Sequence, residues 1–168
     1  MKRQHAHDLR KSGEPFATHP LIVATKALAY TAQVEVILGA ILHDVVEYTT
    51  TLPIDIEANF GIRVREMVML VSSMHANGSK KYKLKGKTDQ AGVIMDCGNK
   101  DAQLIKLCDR LHNMETLDAM PPHKHQQKCA ETRKFFIPVA EQLGLPELAK
   151  RLQGLCGKYD GVCVAKKK

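Results

Sequence analysis

A chain of 168 residues, 44% hydrophobic and 26% charged, has the size and composition of one globular domain, which excludes wholesale disorder. Its formal charge of +7 is concentrated in Lys80, Lys81, Lys83, Lys85 and Lys87 and in the terminal Lys166, Lys167 and Lys168, so the remainder is close to neutral. With no Trp, four Tyr and four Phe, the chain lacks the interleaved basic and aromatic residues of a nucleic-acid surface.

Helical periodicity dominates in chain order. Pro20, directly behind His19, suits the first turn of a helix whose apolar face is read as Leu21, Ile22, Leu28 and Ala29. Val34, Ile37, Leu38, Ile41, Leu42 and Val45 form a wide stripe, predicting one largely buried helix from Val34 to Glu47. Thr51 and Pro53 open a short helix that Gly61 closes, and Val64, Met67, Val68, Val71 and Met74 continue as another. From 76 to 87 the pattern breaks into Asn-Gly and lysines, which predicts an exposed, mobile loop. Helices return from Ala102 to Leu117, from His125 to Leu143 and after Pro146. The expectation is an all-α fold, a compact bundle of roughly seven to nine helices with no convincing strand. It is read as a single domain over 1–168, with 160–168 a frayed tail.

No apolar run approaches the roughly 18 residues needed to span a bilayer, and Met1 to Arg10 holds no signal-peptide core, so a cytoplasmic chain without membrane contact is expected. The five cysteines, Cys97, Cys108, Cys129, Cys156 and Cys163, include no CxxC pair and read mainly as small buried hydrophobes.

Chemistry is signalled by polar residues set into apolar helices, because burial without partners costs about 1–3 kcal/mol each. His43 and Asp44 interrupt Ala40-Ile41-Leu42-His43-Asp44-Val45-Val46-Glu47, and on a helix Glu47 lies one turn beyond both. Asp109 interrupts Leu104-Ile105-Lys106-Leu107-Cys108-Asp109-Arg110-Leu111, with Asn113 and Thr116 at i+4 and i+7 along one seam. A divalent cation would relieve the repulsion between such acids. Two imidazoles, His43 and His19, with two carboxylates suit Mn²⁺, Fe²⁺ or Zn²⁺ better than Ca²⁺ or Mg²⁺. From spacing alone an equal alternative stands: His43 with Asp44 as a hydrogen-bonded pair, and Asp109 paired with Arg110.

A helical His-Asp dipeptide with an upstream His and a distant Asp resembles the HD superfamily of metal-dependent phosphohydrolases. More narrowly, Arg10-Lys11-Ser12-Gly13-Glu14-Pro15-Phe16 with His19-Pro20, then His43-Asp44-Val45-Val46-Glu47, then Leu107-Cys108-Asp109-Arg110-Leu111-His112-Asn113-Met114 with Thr116, resemble three motifs of the hydrolase domain of RelA/SpoT homologues. Glu131-Thr132 to Leu143-Gly144 fits the same family, so the resemblance runs along nearly the whole chain. It implies a helical bundle of the HD-domain type and, with no synthetase domain following, a single-domain small alarmone hydrolase of the stringent response.

The resemblance also implies roles. His19, His43, Asp44 and Asp109 would hold one Mn²⁺, which would lower the pKa of a water and polarise the 3′-diphosphate of (p)ppGpp. Glu47 would position that water or take its proton, releasing pyrophosphate and GDP or GTP. Arg10 and Lys11 would cradle the nucleotide, Ser12 would line the base pocket, and Asn113 and Thr116 would bond the ribose or phosphate side. His112 stands beside the Asp109 seam and is read as a supporting or core histidine. Residues of the Lys80–Lys87 run would either draw in the polyanion or form a merely solvated loop.

Two departures qualify the match. Tyr48 occupies the position where the family carries an acid after the Glu, and a phenol stays neutral near pH 7. The family's first helix also starts well before the position of His5. Alternative readings are therefore (p)ppApp or the 2′-phosphate of NADPH as substrate, or a degenerate alarmone-binding protein. A homo-oligomer and a cognate alarmone synthetase are the further partners envisaged.

Overall fold

Glycine and proline divide the sequence into short helices. The structure, a computed structural model, describes residues 9–10, 12–72, 74–77, 80–83 and 87–160, with side chains described outside 73–90. In order run α1 (Thr18–Ala27), α2 (Val34–Leu42), α3 (Val45–Tyr48), α4 (Pro53–Phe60) and α5 (Ile62–Val71). A hairpin of β1 (Met74–Asn77) and β2 (Lys80–Lys83) follows, then α6 (Lys87–Asp96), α7 (Lys100–Glu115), α8 (Pro122–Glu131), α9 (Ile137–Gln142) and α10 (Pro146–Gly157). The fold is all-α in class, a helical bundle carrying one antiparallel hairpin that pairs Met74 with Lys83 and Asn77 with Lys80. No described helix is long and apolar enough to cross a membrane.

Helix α7 is the axis of the bundle. Asn99 caps it by accepting from the Ala102 N–H at 2.9 Å. Its Ile105, Leu107, Cys108 and Leu111 are wholly buried, and α1, α2, α5 and α10 pack around it.

The buried faces of α1 and α2 differ from the sequence reading. Leu21 and Leu28 are exposed, and α1 instead buries His19, Val23, Ala24 and Ala27. On α2, Val34 is exposed while Val36, Gly39 and Ala40 are buried. Small residues win because these helices approach their neighbours closely: a Cβ on Gly39 would stand 2.9 Å from Ile105 Cδ1. The stripe on α5 is as expected, with Val64, Met67, Val68 and Val71 buried.

Three further elements depart from expectation. Part of the expected loop at 76–87 is hairpin, and α6 follows it, burying Ala91, Ile94 and Met95. The helix expected from Val34 to Glu47 breaks at His43–Asp44 into α2 and α3. The helix expected from His125 to Leu143 contains a π turn over Thr132–Phe136. Pro138 accounts for that turn, since it offers no N–H to the preceding turn and the backbone widens ahead of it.

Cys108, Cys129 and Cys156 are buried free thiols, and burial pushes Cys108 and Cys156 up to about 12, consistent with their reading as hydrophobes. Cys163 and the expected tail beyond Asp160 lie outside the described residues, as do Lys11, Lys85 and His5.

Candidate metal centre

Each motif reaches the centre by a different local device. The first folds back on itself: the Arg10 N–H donates to Glu14 O at 2.8 Å and the Gly13 N–H to Arg10 O at 2.9 Å. Gly13 takes φ +86°, a conformation that a residue with a Cβ adopts only under strain. The chain then enters α1, whose first turn presents His19. The second motif sits in the break between α2 and α3, where Asp44 turns the chain and its carbonyl accepts from the Glu47 and Tyr48 N–H groups. The third lies on α7, which carries Asp109 inward.

These elements bring four side chains together. Ligating atoms of His19, His43 and Asp109, all buried, lie within 4.8 Å of one another. His19 Nε2 stands 3.1 Å from Asp109 Oδ1 and 3.7 Å from Asp44 Oδ2. His43 Nε2 stands 3.2 Å from Asp44 Oδ2 and 3.9 Å from Asp109 Oδ1. Asp109 therefore faces the histidines and not Arg110. Arg110 turns the other way, 3.0 Å from Glu131 Oε1 and over the Phe136 ring at 4.1 Å.

The charges show what the cluster lacks. Burial alone would lower His43, but the Asp44 carboxylate, then Asp109, outweigh it and raise the imidazole to about 9. Burial likewise opposes ionisation of Asp109, yet Lys106 and the two imidazoles hold its carboxyl well below the usual range. Asp44 is lowered too, against burial, chiefly by His43. The acids thus draw a proton onto an imidazole when no other cation is at hand.

A divalent ion fits that demand. His43 Nδ1 donates to the Ala40 carbonyl at 2.8 Å, which leaves Nε2 aimed at the cluster. That nitrogen is buried and, although 3.2 Å from Asp44 Oδ2, has no hydrogen-bond partner among the described residues. An orphaned imidazole nitrogen beside two carboxylates is a mixed nitrogen and oxygen donor set.

The other expected site residues lie on the rim. Arg10 donates to Asn113 Oδ1 at 2.9 Å, and Asn113 Nδ2 donates to Asp109 Oδ1 at 2.5 Å, linking the N-terminal arm to the cluster. Thr116 Oγ1 donates to the His112 carbonyl at 3.1 Å. Ser12 is exposed on the Arg10–Gly13 turn. Glu47 is half-buried on α3, next to Tyr48, whose exposed ring packs 4.8 Å from that of Phe16. Burial, and then Asp44, Glu47 and Asp109, push the Tyr48 phenol up to about 12, so it is neutral.

Two contacts escaped the sequence reading. Lys106 lies one turn before Asp109, its Nζ 3.1 Å from Asp109 Oδ2, and the charges of Asp109, Asp44 and Glu47 act to raise it against burial. A lysine between Ile105 and Leu107 was a visible signal, since an inserted charge implies an acidic partner. The other is the contact of His112 with His19, their Nδ1 atoms 2.7 Å apart. Burial, then His19, lower His112 to about 4, which leaves it neutral. Nothing in the local pattern indicates that pairing.

Comparison with known proteins gives the family and the fold. The HD domain family matches residues 1–146. The chain belongs to that family. This HD domain is 36% identical, over 92% of its length, to a putative chloroplastic GTP diphosphokinase of Arabidopsis thaliana. It is 35% identical, again over 92%, to a probable guanosine-3′,5′-bis(diphosphate) 3′-pyrophosphohydrolase of Synechocystis, and 33% identical over 90% to the enzyme so named in Haemophilus influenzae. It spans about a fifth of the length of these curated relatives. Among solved structures, a metazoan SpoT orthologue described as hydrolysing ppGpp superposes with a TM-score of 0.67, covering 94% of this chain and 88% of that one at 23% identity. A Listeria monocytogenes protein superposes with a TM-score of 0.61 at 19% identity, covering 83% of this chain and 99% of that one. Both share the fold.

Proposed function

We propose that this HD domain hydrolyses the 3′-diphosphate of (p)ppGpp, releasing pyrophosphate and GDP or GTP. The observation that carries the reading is the convergence of His19, His43, Asp44 and Asp109, which Asn113 links to Arg10. The names of the curated relatives support the same chemistry.

Those four residues would hold a divalent cation, Mn²⁺ by its fit to imidazole and carboxylate donors, which when bound would supply Lewis-acid polarisation and a more acidic water. Glu47 takes a proton from the attacking water, whose oxygen forms the new bond to phosphorus. The bond from that phosphorus to the 3′-oxygen breaks, pyrophosphate leaves with the water's oxygen, and the 3′-oxygen takes up the proton that Glu47 accepted and becomes a hydroxyl. Arg10 and Lys11 balance the charge of the nucleotide, and Arg10 also offers a flat guanidinium to the base. Ser12 borders the base. Asn113 holds Arg10 and Asp109 in register, while the Thr116 hydroxyl keeps lone pairs free to accept from a ribose hydroxyl. Within this proposal the hydrolase domain works in the cytoplasm, opposite a cognate alarmone synthetase.

Tyr48 favours a second reading at the level of base choice. An exposed aromatic ring backed by Phe16 replaces an acid beside the attacking water, and it can stack on a purine. The test is to incubate the purified chain and Mn²⁺ with ppGpp, ppApp and NADPH and resolve the products by ion exchange. Pyrophosphate with GDP from ppGpp is expected. Turnover of ppApp alone would favour the second reading, and turnover of NADPH alone or of none would overturn the proposal.

A further inference from the structure

His112 is 4% exposed on α7, one turn beyond Asp109, and its ring lies edge to edge with that of His19, centroids 5.0 Å apart and planes 20° from parallel. Their Nδ1 atoms lie 2.7 Å apart. Two imidazole nitrogens at that distance share one proton: two N–H groups would collide, and two bare lone pairs would repel. Across the His19 ring, Nε2 points at Asp109 and Asp44. A neutral imidazole has one N–H and one lone pair, so Nε2 can ligate a cation only when Nδ1 carries the proton and an acceptor receives it.

We propose that His112 is a positioning residue: it accepts the His19 Nδ1 proton and so holds His19 in the tautomer that offers Nε2 to a divalent cation. The inference rests on the metal centre described above, and not on the identity of the substrate. His43 provides the internal comparison, since its Nδ1 donates to the Ala40 carbonyl at 2.8 Å. A carbonyl can only accept, so it selects the ligating tautomer of His43 unaided. An imidazole can accept or donate, so His112 serves only while its own proton sits on Nε2. The two histidines of the centre are therefore oriented by different means, one by backbone and one by a side chain open to substitution.

The test compares His112→Leu, which fills space but accepts nothing, with His112→Asn, whose Oδ1 stands on Cγ as Nδ1 does and can accept. Mn²⁺ affinity is measured by titration calorimetry, and thermal unfolding in chelator reports folding separately. His112→Leu is expected to weaken Mn²⁺ binding about 10–100-fold, the usual cost of losing such a partner. His112→Asn should recover most of that loss. Equal losses in two folded variants, or wild-type affinity in His112→Leu, would overturn the proposal. Should His112→Leu fail to fold, ¹⁵N spectra of the Zn²⁺-loaded wild-type chain decide. A proton on His19 Nδ1 and on His112 Nε2 supports the assignment, and any other pattern refutes it. Because these readouts are affinity and tautomer, a chain inactive on ppGpp would leave the inference standing.

Discussion

Helix α7 carries a buried charged cluster on each of two faces, and they are built to different standards. On one, Arg110 meets Glu131 at 3.0 Å, Lys128 meets the same carboxylate at 2.9 Å, and Phe136 covers the guanidinium. Each charge there has an opposite partner, the one carboxylate meeting two cations, so its burial is answered. On the other, Asp109 and Asp44 with nearby Glu47 face Lys106 as their fixed cation, and His43 Nε2 is left orphaned. The neighbouring residues Asp109 and Arg110 thus belong to opposite kinds of site. Burial of charge does not by itself mark function, since both faces bury it. Incomplete compensation does, because a structural pair closes its account and a binding site waits for its ligand.

The sharpest way to break this comparison is Asp109→Ala. The variant should lose both metal retention and hydrolysis while remaining folded, since the removed charge was a source of repulsion with Asp44 as well as a ligand. Elemental analysis after gel filtration checks the first effect and product chromatography the second. Full metal occupancy in the variant would place the centre elsewhere.

Next in size is Glu47→Gln. Glu47 lies in the first turn of α3, beyond the His43–Asp44 break, and is assigned to proton transfer and not to metal affinity. Mn²⁺ should stay bound while the rate falls about 10²–10⁴-fold, the scale of a general base. An unchanged rate would pass the role to another residue.

The balanced face should fail differently. Glu131→Ala leaves Arg110 buried without its carboxylate, and losing one partner of a buried pair costs about 3–5 kcal/mol. Metal content per folded molecule should not change. The effect also has a pH signature. Burial raises the Glu131 carboxyl, but Arg110 and Lys128 outweigh it and bring it below the ordinary 4.5. A depressed folded value means that its stabilisation is fully present above about pH 4.5 and disappears as pH falls through the lower, folded value. The stability gap between wild type and variant, read from denaturant melts, should therefore be flat near neutrality and shrink in acid. A gap that grew on acidification would contradict the pairing.

The two faces were not equally legible in the sequence. His43, Asp44, Asp109 and Asn113 stood out because polar side chains interrupt apolar runs, and the three motifs mark their order along the chain. The partners that close each cluster were hidden. Arg110–Glu131 joins residues on different helices, and so does His19–His112, and periodicity reports only on neighbours within one helix. The packing faces of α1 and α2 were misread for a related reason. Size and spacing point to Leu21, Leu28 and Val34 as core, whereas close helix approach selects Ala24, Ala27, Gly39 and Ala40. The break at His43–Asp44 was equally invisible, since Asp44 keeps near-helical angles of φ −100° and ψ −5° and no glycine or proline marks it.

The smallest expected effect, and the one that sharpens the comparison most, belongs to Tyr48→Asp. Tyr48 ends α3 at the edge of the undercompensated face, and its phenol adds no charge to it. An aspartate would add a further negative charge beside Asp44 and Glu47 and would remove the ring that packs on Phe16. These consequences separate in kinetics. Added charge near the attacking water should raise kcat on ppGpp, the acid being the family pattern at this position. Loss of an aromatic face should raise KM, since stacking on one base contributes about 1–3 kcal/mol. Tyr48→Leu isolates the second effect, because it removes the ring without supplying charge. If kcat rises in the Asp variant alone and KM rises in both, the chain has exchanged catalytic charge for base affinity at this position. If neither parameter moves in either variant on ppGpp or ppApp, Tyr48 is a structural cover for Phe16, and the rim of the site lies closer to Arg10 than to α3.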